Sequence, residues 1–476
     1  MGKTRKICFR FLISIIAGMT SFTGNAFKVT IDGIVYNCNK TNMKASCQGP
    51  DDAHYDLKKV VIADNILHSS GTYTVTSIAK DAFDGCTELT TVEMGNSIET
   101  IGSGAFSETG IKKIKLSESL KIIGAAAFYT ADLESIVLPE SLEIIRAHAF
   151  KACTELKKVT FGRKIKEIGD SAFWWCWALE EAMLPNSVTT LGEGAFCDCE
   201  SLKRVSIPEK LTAIPERAFD QAPIENLVIP PAVTSIGRAA FIANNTKNLV
   251  IPGTVKTIGP WAFCGSDATS ITIGEGVYTI GEGAFDECSY ITSLTLPASA
   301  LNIGEQAFAY CHRLSTVNLS PKLTKLPKQM FYGCGLTTLN IPEGVNWIGK
   351  EVFGYNKGLK TVTLPSTLSM VDEKAFFGSD NIETVTVKGT IPAVCRDDAF
   401  NNWTYEEAML NVPAGTEAAY LAVSGWKNFE SLQKKTSEVE EIKESSEKSY
   451  EYYDLSGLRV NAPEPGRPCK RVRKAK

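Results

Sequence analysis

The chain has 476 residues, of which 44% are hydrophobic and 22% are charged, and its formal net charge at pH 7 is −4. This hydrophobic content excludes a disordered chain, because it is sufficient for a continuous core. The slightly acidic balance argues against nucleic acid as a partner, since phosphate binding needs a clustered basic surface.

The first 26 residues have the pattern of a cleavable signal peptide. Four basic residues precede the apolar run 11–19, and small residues lie around residues 24–26. The run is shorter than the roughly 20 apolar residues that a membrane-spanning helix requires. Residues 1–26 carry four positive and no negative charges, so the remaining chain has a net charge of −8. We expect an exported protein at the cell surface or outer membrane, or in the extracellular space, with no transmembrane segment.

Residues 27–75 are predicted to form an N-terminal β cap. Residues 27–36 predict a hairpin with Asp32 and Gly33 at its turn, because this pair favours the positive φ angles of tight hairpin turns. Residues 72–78 then lead into the first repeat. Cys38 and Cys47 lie in the hairpin region, where export would allow a disulfide between them.

Residues 76–400 contain a repeat in which a phenylalanine recurs at intervals of 22 to 24 residues. Alanine precedes the phenylalanine except where Met330 and Val352 replace it. The fifteen phenylalanines are Phe83, Phe106, Phe128, Phe150, Phe173, Phe196, Phe219, Phe241, Phe263, Phe285, Phe308, Phe331, Phe353, Phe376 and Phe400. The regular interval predicts a stack of about 15 coils, because a single coil buries too little apolar surface to fold alone.

The repeat unit predicts a short β-strand followed by a tight turn. It begins with Leu-x-x-Val-x-Leu-Pro, as at residues 359–365, where Val362 and Leu364 alternate with polar neighbours. This alternation is typical of a half-buried strand, and proline ends the strand because it has no hydrogen-bond donor. An isoleucine and a glycine follow, as at Ile123 and Gly124. The glycine indicates either a positive φ angle or close backbone packing between coils.

These landmarks resemble the BspA-like, or Treponema pallidum-type, leucine-rich repeats over residues 71–400. The resemblance implies a repeat solenoid, a right-handed leucine-rich-repeat array with one short parallel β-strand per coil of 22–24 residues and with a cap at each end. It also implies a surface protein, since the better-studied members of the family are implicated in binding host matrix proteins and other bacteria.

Three segments are predicted after the repeats. Residues 401–433 are expected to form a C-terminal cap, and residues 434–449, rich in Glu, Lys and Ser, a flexible linker. Residues 450–476 resemble a degenerate form of the C-terminal sorting tail of exported Bacteroidota proteins. The basic end of that tail is present at residues 470–476, but the apolar strand before it is not. Sorting through this tail therefore stays an open alternative.

The cysteines of the array are predicted to be free structural thiols. Equivalent Cβ atoms of stacked coils lie about 4.8 Å apart, whereas a disulfide prefers about 3.5–4.5 Å. We expect no metal site, no cofactor and no catalytic residues, because the chain has no Cys-x-x-Cys pair and its four histidines form no recognisable motif. Seven cysteines lie three residues after a repeat phenylalanine: Cys86, Cys153, Cys176, Cys199, Cys288, Cys311 and Cys334.

Two surfaces are candidate ligand-binding sites. The first is an aromatic turn where other coils have small or polar residues, and it contains Trp174, Trp175 and Trp177, with Tyr129 in a similar turn. Exposed aromatic clusters mark interfaces, although this cluster could instead pack against a neighbouring loop or subunit. The second is the outward face of the later strands, where β propensity and hydroxyl pairing are the alternative explanation. It contains Thr316, Asn318, Thr338, Asn340, Thr361 and Thr363.

The predicted function is that of a secreted or cell-surface solenoid that binds an extracellular protein, as in adhesion, without catalytic activity. The alternative is a glycan-capture protein of a surface polymer-uptake system. A glycan ligand would use the aromatic turns more than the strands. Such turns also contain Tyr310, Tyr332, Tyr355 and Phe377.

Overall fold

The computed structural model of the chain describes residues 25–437, 450–454, 459–460 and 469–473. Residues 1–24 of the predicted signal peptide and residues 438–449 of the predicted linker lie outside these ranges. The chain divides into two compact units, a first unit of Met1–Ile291 and a second unit of Thr292–Lys476.

The described part of the first unit begins with six strands: Ala26–Ile31, Ile34–Asn39, Lys44–Pro50, Lys59–Ile62, Asn65–His68 and Gly71–Ile78. The first two form the predicted hairpin, with Asp32 (φ 48°) and Gly33 (φ 78°) in its turn. Lys59–Ile62 and Gly71–Ile78 pair in parallel with strands of the first repeat. This segment therefore covers strand edges that the first coil would otherwise expose.

Most repeats of the first unit contribute two strands rather than the single strand that the sequence predicted. The longer strands are Thr91–Met94, Lys113–Lys115, Ser135–Val137, Lys158–Thr160, Glu181–Met183, Arg204–Ser206, Asn248–Ile251 and Ser270–Ile273. The two-residue strands are Thr100–Ile101, Ile122–Ile123, Ile144–Ile145, Glu167–Ile168, Thr190–Leu191, Ala213–Ile214, Ser235–Ile236, Thr257–Ile258 and Thr279–Ile280. Equivalent strands pair in parallel, as Ile136 with Val159 and Ile123 with Ile145. The sequence did not predict the second strand because two residues are too few to show an alternating pattern.

The turn of every coil in the first unit has two residues in the left-handed backbone region, two positions before and two positions after the phenylalanine. Around Phe150, His148 has φ 59° and Ala152 has φ 60°. The glycine after isoleucine has a different role, because a Cβ on Gly124 would lie 2.6 Å from the carbonyl carbon of Gly102 in the preceding coil. Close packing between coils, rather than a positive φ angle, therefore requires this glycine.

The core of the first unit contains a stack of phenylalanine rings, one from each coil, from Phe83 to Phe285. Neighbouring ring centroids are 5.0–5.5 Å apart, and the ring planes lie within 14° of parallel. All of these side chains are buried. The predicted stack of coils with phenylalanine at the centre is therefore confirmed in this unit.

The second unit has the same two-strand coil. Its longer strands are Ser293–Thr295, Thr316–Asn318, Thr338–Asn340, Thr361–Leu364, Thr384–Val387 and Met409–Asn411. Its two-residue strands are Asn302–Ile303, Lys325–Leu326, Trp347–Ile348, Met370–Val371 and Val394–Cys395. The rings from Phe308 to Phe400 stack with centroids 4.7–5.9 Å apart and with planes within 19° of parallel.

Short helices follow the last repeat, among them the α-helices Asn402–Glu407 and Glu417–Leu421 and the 3-10 helix Trp426–Asn428. Trp426 and Phe429 pack on the last repeat phenylalanine, Phe400, with ring centroids 6.2 and 5.3 Å from its centroid. Residues 430–437 are also helical, so the first four residues of the predicted linker continue a helix.

The tail contains a three-stranded antiparallel sheet in which Tyr450–Asp454 lies between Arg459–Val460 and Cys469–Arg473. The sequence lacks the apolar strand that precedes the basic end in the sorting tails. The structure has two other strands before that end, Tyr450–Asp454 and Arg459–Val460, and its third strand, Cys469–Arg473, overlaps the basic end. The tail therefore forms a small sheet without the apolar strand of the sorting tails that it resembles.

Candidate functional site

The tryptophan turn, which consists of Trp174, Trp175 and Trp177, lies at the surface of the first unit. It follows Phe173, whose ring is fixed in the core stack, and Trp175 (φ 64°) occupies one of the two left-handed positions of its coil. Trp175 is 39% exposed and Trp177 is 48% exposed, whereas Trp174 is half-buried. Two of the three indoles are therefore available to a partner.

Trp174 is held in place by side chains from neighbouring coils. Its indole Nε1 donates a hydrogen bond of 2.8 Å to Oδ2 of Asp198. The Nζ atom of Lys151 lies 4.5 Å from its ring centroid, and the Cζ atom of Arg217 lies 5.2 Å from it. Each cation over an aromatic face stabilises the arrangement by about 0.5–1 kcal/mol at an exposed site. Trp174 therefore supports the turn.

Lys151 contacts both Trp174 and Trp175, and it lies on the coil between these tryptophans and Tyr129. Its Nζ atom is also 5.1 Å from the ring centroid of Trp175, and the two indole centroids are 5.5 Å apart. Tyr129 is half-buried in the same turn position two coils earlier, and Lys151 lies on the coil between. Trp174 and Trp175 are therefore in contact, whereas Tyr129 lies two coils away from them.

An ion pair between a partly exposed arginine and a buried aspartate lies on the far side of the turn. Nε of Arg217 donates a hydrogen bond of 2.8 Å to Oδ2 of Asp220, whose side chain is almost fully buried. Burial raises the pKa of Asp220, and the hydrogen bond from Arg217 opposes this rise. These supporting residues were not predicted from the sequence. The repeat register is a signal for two of them, because Lys151 and Asp220 directly follow a repeat phenylalanine, as Trp174 does.

The strand face of the second unit contains the other predicted site residues. Thr316, Asn318, Thr338 and Asn340 are exposed, whereas Thr361 and Thr363 are half-buried. Thr338 pairs with Thr361 and Asn340 with Thr363 on adjacent strands. The amide Nδ2 of Asn318 donates a hydrogen bond of 3.2 Å to Oγ1 of Thr295. Cross-strand contacts therefore occupy part of the hydrogen-bonding groups on this face.

A third surface, the aromatic ladder, consists of Tyr310, Tyr332, Tyr355 and Phe377 on four successive coils of the second unit. Successive ring centroids are 5.4, 5.2 and 5.9 Å apart, and the ring planes are inclined by 56–74°. Tyr310, Tyr355 and Phe377 are exposed and Tyr332 is half-buried. The turn aromatics that the sequence identified singly therefore form one continuous row.

Cysteines three residues after the repeat phenylalanines are buried inside the coils, and the structure joins none of them in a disulfide. Cys153 Sγ donates a hydrogen bond of 3.0 Å to the carbonyl oxygen of Phe128 in the preceding coil, and Cys176 Sγ donates one of 3.2 Å to that of Phe150. Burial raises the pKa of both thiols. Ser379 Oγ makes the equivalent bond to the carbonyl oxygen of its preceding coil. The position therefore favours a small hydrogen-bond donor as well as a small side chain.

The structure does not form the Cys38–Cys47 disulfide that the sequence left possible. Both thiols are free and buried, and burial raises the pKa of Cys38 to about 11. Cys38 lies opposite Ala45 and Cys47 lies opposite Tyr36, so the two cysteines are diagonal neighbours. Diagonal neighbours on antiparallel strands are about 7–8 Å apart, whereas the Cβ atoms of a disulfide are about 3.5–4.5 Å apart.

Within the described ranges, no helix has the length and apolar character needed to cross a membrane. The same residues contain no cluster of three or more His, Cys, Asp or Glu side chains suited to holding a metal ion.

Comparisons with known proteins agree with the repeat geometry. A family model described as "BspA type Leucine rich repeat region (6 copies)" matches residues 63–180, 121–246, 166–292, 234–360 and 279–407. A solved leucine-rich repeat protein from Bacteroides ovatus is 28% identical, with a TM-score of 0.58, over 75% of this chain and 94% of that chain. No curated protein matches the chain significantly.

Two further solved structures are similar to the chain at lower TM-scores. A leucine rich cell surface protein from Faecalibacterium prausnitzii is 24% identical, with a TM-score of 0.46, over 76% of this chain and 95% of that chain. The Pneumococcal vaccine antigen PcpA is 21% identical, with a TM-score of 0.46, over 83% of this chain and 97% of that chain. The fold likeness rests on the Bacteroides ovatus protein, whose TM-score exceeds 0.5.

Both the structure of the coils and the matches to the family model support the family assignment. The parallel two-strand coils carry one buried phenylalanine each, and the overlapping family matches extend from residue 63 to residue 407, well over half of the chain. The chain therefore belongs to the BspA-type leucine-rich repeat family.

Proposed function

We propose that this protein is a cell-surface adhesion scaffold whose tryptophan turn binds an extracellular protein. Membership of a leucine-rich repeat family indicates a protein-binding scaffold, and such repeat families are typically non-catalytic. Adhesion requires export, which we assign to residues 1–26 on the basis of their basic start and apolar run.

The exposed pair Trp175 and Trp177 carries this proposal. Both indoles present apolar area to solvent on a turn whose backbone is fixed by the core ring of Phe173. Tryptophan is enriched among the residues that dominate binding energy, because it gives a large contact area with few rotamers to order. The half-buried Trp174 holds the turn in one conformation, so little further ordering is needed on binding.

The charges beside the turn favour a partner with an acidic or polar rim. Lys151 stands over Trp174 and Trp175, and none of the described carboxylates forms an ion pair with it. Its ammonium could therefore contact a carboxylate of the partner at the edge of an apolar contact.

Binding of the full chain to immobilised fibronectin, laminin and collagen tests the proposal. The double variant Trp175→Ala/Trp177→Ala should weaken binding to the matrix protein that is captured by about 2 kcal/mol or more. Its melting temperature should change little, because both side chains are already exposed. Tyr278→Ala is a matched control, since this tyrosine is 48% exposed in the same unit but far from the turn in sequence. Unchanged affinity of the double variant, or no binding to any of the three proteins, would contradict the proposal.

A further inference from the structure

The aromatic ladder is built as an alternating pattern of rings and glycines. Two residues after the repeat phenylalanine, four successive coils have Tyr310, Gly333, Tyr355 and Gly378. In the two coils that have glycine at this position, the residue directly after the phenylalanine is aromatic, Tyr332 in one and Phe377 in the other. Each of the first three rings therefore has an aromatic neighbour on the next coil, displaced sideways by one position. A random scatter of surface aromatics would not produce this order.

The glycines provide the space in which the rings lie. A Cβ on Gly333 would be 3.0 Å from Tyr310, and a Cβ on Gly378 would be 2.9 Å from Tyr355. Gly354 is similarly close, since its Cβ would be 3.0 Å from Tyr332. Any larger residue would push these rings away from the coil surface. The rings therefore lie close against the backbone of the following coil.

Beside the ladder is an open groove of about 570 Å³ in the second unit. Its lining includes Tyr310, Tyr332, Tyr355, His312 and Lys357, together with three glycines, and has no carboxylate side chain. Nδ1 of the His312 ring lies 2.9 Å from the carbonyl oxygen of Gly333, which leaves Nε2 for another partner. Lys357 is exposed, and none of the described carboxylates forms an ion pair with it. In a chain with a net charge of −4, the lining of this groove thus combines three tyrosines with one lysine.

We propose that the aromatic ladder and its groove bind an extended anionic polysaccharide that contains uronic acid units. Pyranose rings present C–H groups that are attracted to the negative face of an aromatic ring. The centroid spacing of 5.2–5.9 Å is close to the length of one sugar unit, so consecutive sugars can contact consecutive rings. The ammonium of Lys357 is then placed to bind a sugar carboxylate by a charge-assisted hydrogen bond. The groove complements an anionic chain because it lacks carboxylates of its own.

This site is separate from the tryptophan turn and does not depend on it. The ladder lies in the second unit, whereas Trp175 and Trp177 lie in the first. A protein with both sites would bind a protein partner and a polysaccharide by different residues. The two activities can therefore be removed one at a time.

The test is affinity electrophoresis and calorimetry of the full chain with polygalacturonate, alginate and hyaluronan, compared with neutral galactan and xylan. The chain should bind at least one of the three acidic polymers and bind the neutral polymers about tenfold more weakly or worse. Tyr355→Ala and Tyr332→Ala should each weaken the binding about tenfold, whereas Tyr355→Phe should retain it because the ring remains. Lys357→Gln should reduce the affinity for the acidic polymer to that for the neutral ones.

Two control variants make the outcome decisive. Tyr278→Ala and the Trp175→Ala/Trp177→Ala double variant should leave polysaccharide binding unchanged, and Tyr355→Ala should leave matrix-protein binding unchanged. Melting temperatures show whether a variant is folded, and Lys357→Gln tests the site without removing any ring contact. The inference is overturned if none of the three acidic polymers binds, if neutral polymers bind equally well, or if folded Tyr355→Ala and Lys357→Gln bind like the parent chain.

Discussion

Replacing Phe196 by alanine should lower the free energy of unfolding by about 3–5 kcal/mol. The ring is fully buried and stacked between Phe173 and Phe219, with centroid distances of 5.1 and 5.5 Å and planes within 3° of parallel. Truncation leaves a cavity and removes two ring contacts, each worth about 0.5–1.5 kcal/mol beyond area burial. The cavity cannot collapse easily, because hydrogen bonds on both sides fix the spacing of the coils: Phe173 N–H donates to the carbonyl oxygen of Ala195, and Phe196 N–H donates to that of Ala218.

Equilibrium urea unfolding followed by circular dichroism measures this loss. Phe377→Ala is a matched control, because the same side chain is removed from a site that is 38% exposed, and it should cost about 1 kcal/mol or less. Unfolding of a repeat array can populate partly folded states, so the midpoint and slope of each transition should be compared with those of the parent chain. A loss below about 1 kcal/mol for Phe196→Ala would refute the assignment of the phenylalanine stack as the core.

Three further predictions test particular contacts. Gly192→Ala should destabilise the protein by about 1–3 kcal/mol in urea unfolding, because the new Cβ would lie 2.3 Å from the amide nitrogen of Asp170; an unchanged midpoint would contradict close packing between coils. Burial, with Glu287 adding to it, raises the pKa of Asp286 from 3.8 to about 6, so the folded state binds this proton more tightly than the unfolded state. The contribution of Asp286 to stability should therefore fall as the pH rises from 3.8 to about 6, so the stability of Asp286→Asn relative to the parent chain should increase over that range; an identical pH profile for the two proteins would refute this. The seven buried thiols that lie three residues after a repeat phenylalanine should react with a thiol reagent only after denaturation, and mass mapping of a disulfide between Cys153 and Cys176 would show that the stacking geometry is wrong.

The repeat could be predicted from the sequence because equivalent positions of the coils have the same type of residue and the same place in the core or strand. The buried phenylalanine and the alternating strand residues recur at fixed intervals, and the hairpin turn at Asp32 and Gly33 follows local backbone preferences. The two-residue strands could not be predicted, because pairing with the neighbouring coil, rather than a local pattern, defines them. The glycine after isoleucine was ambiguous for a similar reason. Its requirement comes from the backbone of the preceding coil, as at Gly124 and Gly102.

The tryptophan turn was identified from the sequence, but the different roles of its members were not. Side chains at equivalent positions of neighbouring coils decide those roles, since Asp198 and Arg217 hold Trp174 while Trp175 stays exposed. Register along the repeat shows which residues are neighbours, but it does not show which of them face the solvent. The aromatic ladder is the opposite case, because its alternation with glycine is visible in the aligned repeats once the phenylalanine sets the register.

Hydrogen exchange of the full chain, free and bound to the matrix protein that it captures, tests the proposed binding site most directly. A ligand on the tryptophan turn should slow exchange of the backbone amides of residues 173–178 and of the neighbouring turns that carry Lys151 and Asp198. The same measurement should show no change on the strands of the second unit. Slowed exchange confined to those strands, or to the aromatic ladder, would contradict the account and move the protein-binding site to the second unit.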